Sequence, residues 1–393
     1  MKTKLLAILG SGSSIPLGLP SVNDLDRLMA GWARESAAAR GEPDYFGELR
    51  TAIEQYQAPE FNRWYPPVTF ERVLGNMLAL AHWVTPAPTG DPLRAAIGDA
   101  FALAPFPHAR AHGPTLTLRE QMSHLVRRLA AELRERTRTL DRLSDPFARY
   151  KRVFDQLRDH FDVAVFNLNY DGAAVNVMPG AFTGFDPSGE FDAPAVHLRS
   201  AFDFLYHLHG SVHFSLRQEG QWRIHWRDDL TGGFTDDDGA VGPIIGPEGR
   251  LLPVATCVAG GFKLDQLLAE PFHSFHAALV RHLYHADAIL IAGYGFGDTH
   301  VNRALMNRLL VRPRPPVLIV DRREANALMS PNEPWQTGVC QTLLADGSFF
   351  SRAPSDDLEI DTVHGVALWR HGFVEWSGES RPSENWLRQS PVA

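Results

Sequence analysis

Leu5-Leu-Ala-Ile-Leu9, running directly into Gly10-Ser-Gly-Ser-Ser-Ile-Pro-Leu-Gly-Leu-Pro20 and then Ser21-Val-Asn-Asp24, carries the reading of the fold. An uninterrupted apolar run of strand length predicts a fully buried strand. The glycines that follow predict a tight turn, and Ser21-Val-Asn-Asp24 predicts a helix start. Strand, glycine turn and helix in that order present backbone N–H groups to a pyrophosphate. Taken alone, Gly10-x-Gly12 fits a purely structural turn equally well, because the dinucleotide fingerprint asks for a third glycine where Ile15 stands.

Outward from that turn, apolar residues recur at helical spacing in 24–33, 70–78 and 116–143, joined by Pro- and Ala-rich stretches at 86–92 and 105–114. This pattern predicts a helical insertion over residues 25–150. Strand signals resume at Asp162–Asn167, with further strands expected at Ala195–Leu198 and Leu205–Gly210. Val212–Leu216 and Gln221–Trp226 read as a hairpin, followed by an acidic, glycine-rich loop at 231–242. Helices are expected at Leu264–His285 and Thr299–Leu310, and strands at Ala288–Ala292 and Val317–Val320. Strands alternating with helices predict an α/β fold with a Rossmann-like parallel sheet. The expected organisation is one domain over residues 1–330 containing the insertion, with 331–393 as a C-terminal extension of short strands in irregular structure.

The composition narrows the class. The chain has 393 residues, 44% of them apolar, so a substantial core is available. Lys+Arg of 38 against Asp+Glu of 46 gives a net charge of −8, which argues against a nucleic-acid-binding face. Two cysteines, Cys257 and Cys340, exclude a disulfide-stapled scaffold and any four-Cys zinc site within one chain. No apolar run approaches the roughly 20 residues of a membrane span, and the one after Lys4 is too short for a signal peptide. A soluble cytoplasmic protein is expected.

The longer pattern Gly-x-Gly-x-Ser-x-x-x-Gly-x-Pro, formed by Gly10, Gly12, Ser14, Gly18 and Pro20, resembles the first motif of the sirtuin family. Asn167-Leu-Asn169-Tyr-Asp171 resembles the second, His209-Gly210 the third, and Gly293-Tyr-Gly-Phe-Gly-Asp-Thr-His300 the fourth. Each closes a predicted strand, and the order is that of the family. The resemblance implies a Rossmann-like core that consumes NAD. Two features depart from the protein-deacylating members: Ser21-Val-Asn replaces Asp-Phe-Arg, and two cysteines cannot form their zinc ribbon. The wording is closer to the bacterial sirtuin-like branch of antiphage defence. That likeness implies an NAD hydrolase working as a homo-oligomer and partnering a HerA-type hexameric ATPase. A deacylase and a non-catalytic nucleotide-sensing subunit are the alternatives.

Under this resemblance, Asn169 orients the ribose or the attacking water, and Asp171 anchors the nicotinamide carboxamide. Asn and Asp also favour turns after strands, which is the competing reading of both. His209 has the chemistry of a general base near neutral pH, or of a hydrogen-bonded histidine at a strand end. Gly10, Ser11, Gly12 and Ser14 are expected to cradle phosphate, with Pro20 completing the motif. Gly293 and Gly295 are expected to let the cofactor approach the late strand. Asp321 stands where a carboxylate holds adenosine-ribose hydroxyls.

No metal is expected, since His207, His209 and His213 have no carboxylate or cysteine at suitable spacing to complete a set. Asp298, His300 and Asn302 are read as helix-capping residues. Glu71, Asp236–Asp238 and the Arg127–Arg142 cluster are read as solvated surface, the last alternatively as a subunit contact.

Overall fold

The computed structural model describes residues 2–56, 68–84, 114–219, 221–231, 241–245, 251–257, 267–324, 334–344, 358–376 and 381–389. Its strands are β1 (Thr3–Leu9), β2 (Phe161–Asn167), β3 (Leu205–His207), β4 (Phe214–Glu219), β5 (Gln221–Trp226), β6 (Val241–Ile245), β7 (Leu251–Ala255), β8 (Ala288–Ala292), β9 (Val317–Val320), β10 (Leu358–Asp361) and β11 (Val366–Trp369). The chain divides into two compact units. One comprises Met1–Leu19, Arg136–Ser211 and Pro271–Ala393, the other Pro20–Glu135 and Val212–Glu270.

The first unit is built on a seven-stranded sheet in the order β10-β11-β9-β8-β1-β2-β3. Only the β10–β11 pair is antiparallel, at one edge. Thr3–Leu9 of β1 align with Phe161–Asn167, and Leu5–Leu9 align on the other side with Ala288–Ala292. Such continuous apolar strands form because both faces of a parallel sheet are covered. Beneath one face, the helix Asp145–His160 buries Phe147, Tyr150, Val153, Phe154 and Leu157 at helical spacing. Phe373 meets Phe154 edge-on at 5.8 Å. Truncating a ring as buried as Phe154 costs about 3–5 kcal/mol. On the other face Tyr206 stacks between Phe204 and Phe275, the latter from the helix Phe272–His285.

β2 and β3 follow on one side of β1, after which the chain crosses over to add β8 and β9 on the other. The strand order therefore reverses between β1 and β8. Open α/β sheets hold ligands outside the carboxyl ends of their strands at such a point.

The second unit holds the helices Val22–Arg40, Tyr45–Tyr56, Phe70–Val84 and most of Pro114–Arg138, together with the antiparallel pairs β4–β5 and β6–β7. Ser21 and Asp24 form a reciprocal capping box at the first helix, as their spacing predicts. Met29, Phe46, Val73, Met77, Leu125 and Leu129 are fully buried.

Several expectations are corrected. Ala195–Leu198 lies in a helix, Ala193–Leu198, because Asp192 caps it through the Ala195 N–H and Pro194 occupies its first turn. The helix expected from Leu264 begins at Phe272, behind Pro271; residues 264–266 lie outside the described residues. The last stretch of chain contributes helices, Pro334–Leu343 and Arg381–Leu387, beside its strands. β6 and β7 escaped notice because each carries a proline, Pro243 opposite Pro253, and proline argues against a strand. Arg134, within the arginine cluster, is buried and donates to the Val212 carbonyl. Asp236–Asp238 lies outside the described residues. Among those residues no helix is long and apolar enough to cross a membrane.

Candidate active site

The four sequence motifs follow β1, β2, β3 and β8, and so emerge at the carboxyl ends of four adjacent strands. The first and fourth are pressed together. Gly10 N–H donates to the Ala292 carbonyl at 2.8 Å and Gly12 N–H to the Gly293 carbonyl at 3.0 Å. A Cβ on Gly10 would lie 2.5 Å from Gly293 O, and one on Gly12 would lie 2.7 Å from Gly293 Cα. Gly293 itself has φ +60° and leaves no room for a side chain beside Ser13. These three glycines are present so that two backbones can cross. Most of the N–H groups expected to cradle phosphate are engaged within the chain. Gly10 and Gly12 spend their N–H groups on the neighbouring strand end and loop, while Ser13 and Ser14 spend theirs on the Gly10 and Ser11 carbonyls. Nothing lies within 4 Å of the place a Cβ on Gly295 would take.

The second motif closes onto the first. Asn169 Nδ2 donates to the Gly10 carbonyl at 3.0 Å, and Ser14 Oγ donates to Asp171 Oδ2 at 2.9 Å. Asp171 Oδ1 also accepts the Ala173 N–H, the local turn bond of the competing reading, while the N-cap of the short helix that follows is Gly172. Burial raises the Asp171 carboxyl above its ordinary range, against the opposing pull of the Ala173 N–H and the Ser14 hydroxyl. Tyr150 beneath it is pushed well up by burial and then by the Asp171 charge. Asn169 and Asp171, expected to face one way on an extended segment, lie past the end of β2 but converge on Ser14.

His209 follows β3 and is buried. Its Nε2 lies 3.0 Å from His300 Nε2 and 3.8 Å from Asp298 Oδ1. The capping reading of Asp298 is corrected: it occupies the N-cap of the helix Thr299–Leu309, but its side chain makes no cap hydrogen bond. Asn302 does not cap either. Its amide donates to Phe296 O at 2.7 Å, and its Oδ1 accepts from the Tyr294 hydroxyl, which in turn accepts the Asp298 N–H. Trp335 Nε1 holds the Tyr294 carbonyl. This network fixes a loop whose Phe296 has φ +55°, a conformation uncommon outside glycine. His276 packs edge-on to His300 at 4.7 Å, and burial, then His300, press its pKa down to about 3.

His207 and His213 do not share a set with His209. His207 Nδ1 lies 3.2 Å from the Asn169 carbonyl, and His213 stacks on Trp226 in the second unit. Asp321, expected to hold adenosine-ribose hydroxyls, has its oxygens engaged by the Arg322 N–H and the Arg323 guanidinium at 2.8–3.0 Å. Pro20 is buried immediately before the capping box, in the second unit. Sequence reasoning missed His300 and Asp298 as companions of His209. The available signal was two side chains able to bind a proton or metal, one residue apart, in a glycine turn closing a buried strand.

A parallel α/β sheet with polar residues gathered beyond its carboxyl edge is the architecture of nucleotide-binding proteins. A family model described as a SIR2-like domain matches residues 163–338, a span that includes Asn169, Asp171, His209, Asp298 and His300 and excludes the first turn. Among solved structures, a mutant Sir2 homologue in complex with 2'-O-acetyl ADP ribose is similar at 13% identity and TM-score 0.39, over 99% of this chain and 94% of that one. Sir2Tm bound to a propionylated peptide is similar at 10% identity and TM-score 0.38, over 98% and 94%. A Sir2 homologue in complex with NAD is similar at 12% identity and TM-score 0.34, over 88% and 91%. No curated protein sequence matches the chain.

Proposed function

We propose that the chain is an NAD glycohydrolase, cleaving the N-glycosyl bond of NAD to give nicotinamide and ADP-ribose. The observation that carries the reading is the burial of Asn169 and His209 just past adjacent parallel strands, within the span matched by the SIR2-like model. NAD loses nicotinamide through an oxocarbenium-like transition state, so the protein has to hold the leaving group, shield the ribose and present water at C1′. Asn169 has its amide N–H tied to Gly10 O, which fixes the ring-facing geometry of a carboxamide whose Oδ1 orients the water or ribose. Asp171, kept toward its neutral form by burial, suits a hydrogen bond to the nicotinamide carboxamide. His209 takes the proton released by water or a ribose hydroxyl. Because unrestrained NAD loss harms a host cell, activity is gated, and we propose assembly with further copies or with a HerA-type ATPase as the gate.

The test is nicotinamide and ADP-ribose release from NAD by the purified full chain, alone and mixed with a HerA-type ATPase. Release in either condition is expected; none in both ends the reading. O-acyl-ADP-ribose formed from an acylated peptide would move the chain to the deacylases. Tight NAD binding without turnover would make it a nucleotide sensor.

A further inference from the structure

We propose that His209, Asp298 and His300 form a site for one divalent transition metal of the zinc type, and that its occupancy silences His209. The three donor atoms lie within 4.8 Å of one another. A four-coordinate ion with bonds of about 2.0–2.1 Å to nitrogen and oxygen has donor-to-donor edges of about 3.3 Å. Two of the edges, 3.0 Å between the imidazole nitrogens and 3.8 Å from His209 Nε2 to Asp298 Oδ1, bracket that length. A shared proton can join the two imidazoles at 3.0 Å, whereas 3.8 Å is too long for a hydrogen bond. A single metal ion can engage all three donors.

Other features of the site point the same way. The Asp298 carboxylate stands at the N-cap of the helix Thr299–Leu309 without capping it, on the same turn as His300. The loop that carries it is pinned by Tyr294, Asn302 and Trp335, which holds two of the three donors in fixed relation. Two imidazoles and one carboxylate select zinc-like ions over calcium or magnesium, which take oxygen ligands. The His209 side chain is 3% exposed and that of Asp298 17%, so an ion enters from the Asp298 side and keeps an open position there. Bound metal occupies the Nε2 lone pair that a general base needs. This second half of the proposal rests on the NAD-cleaving reading; the metal site does not.

The experiment titrates tag-free, metal-stripped full chain with Zn2+ against a chromogenic chelator, and with Co2+ followed by its visible absorption. One ion per chain is expected, with affinity reduced at least tenfold in both Asp298→Asn and His300→Gln, variants that keep side-chain size and hydrogen bonding. No bound metal, or binding unmoved by either variant, overturns the site. Loss of nicotinamide release over the same Zn2+ range as binding supports the silencing, and undiminished release from the metal-loaded protein overturns it. Should the chain never cleave NAD, the binding titration still decides the metal site.

Discussion

Two polar clusters stand beyond the carboxyl edge of one sheet, and they are built on different terms. Around Ser14, Asn169 and Asp171 the hydrogen bonds close on themselves: amide to Gly10 carbonyl, hydroxyl to carboxylate, carboxylate to Ala173 N–H. Around His209, three donor atoms from two chain segments lie within 4.8 Å of one another. The first cluster ties strand ends to each other through buried hydrogen bonds. The second is, on our proposal, arranged to hold a metal ion. Burial at a strand end therefore has two causes, and substitutions separate them.

The largest effect is expected where the lock is tightest. Gly293→Ala places a Cβ against Ser13 N and Gly12 in a left-handed backbone conformation. A loss on the order of 3–5 kcal/mol follows from clash and strain together, seen as a fall in Tm of the purified chain or as failure to fold. Gly295→Ala is the control, since nothing lies within 4 Å of its Cβ position. Its Tm should stay within experimental error, so that any loss of NAD turnover there reports on ligand approach. Equal destabilisation by both would mean the crossing of the two turns is not what fixes this edge.

Next in size, Asn169→Ala and His209→Gln should part company. Both should lower nicotinamide release by about a hundredfold or more, in the range of a lost positioning or general-base group. Only Asn169→Ala should also cost about 1 kcal/mol, because it removes a buried side-chain hydrogen bond to the Gly10 carbonyl, which keeps its two Ser13 donors. Thermal melts beside turnover assays decide this. Full turnover in either variant removes that residue from the reaction.

How much of this was legible in the sequence follows from which interactions are local. The apolar runs of β1, β2, β8 and β9 announce a parallel sheet because burial on both faces leaves a continuous signature. The Ser21–Asp24 capping box is local as well, and so is readable. The helix at Ala193–Leu198 is marked by Asp192 and Pro194, yet its Ala-Val-His-Leu stretch imitates a strand. The partners of His209 could not be read, because Asp298 and His300 meet it only through the strand order β8-β1-β2-β3. The glycines of the first motif were assigned to a ligand, whereas their tight contact with Gly293 depends on a crossing some 280 residues away in sequence.

A smaller effect concerns acid stability of the first unit. His282 packs against Phe166, Phe202 and Phe204, and burial above all presses its pKa from 6.5 to about 4. Between those values the unfolded chain binds a proton that the folded chain refuses. Stability should therefore fall as pH drops through 6.5 and level off below about 4, with a slope no steeper than about 1.4 kcal/mol per pH unit for this group. His282→Phe keeps the aromatic packing and should flatten the urea-unfolding stability curve over that window. An unchanged slope would assign the acid sensitivity to other groups, His276 first among them.

The smallest effect is expected at Asp321, whose carboxylate the fold already engages. Its carboxylate is held by Arg323, whose guanidinium also lies over Trp335 at 4.2 Å, so a ribose would have to displace an ion pair to reach it. Asp321→Asn keeps the acceptor for the Arg322 N–H and loses only the charge. Part-exposed ion pairs of this kind contribute about 1 kcal/mol or less, so stability should move little. Apparent affinity for NAD should change less than threefold. A larger loss of affinity at unchanged Tm would return Asp321 to the binding site and mean that Arg323 yields when nucleotide arrives. The carboxyl edge would then have a third kind of residue, held by the fold until a ligand takes it.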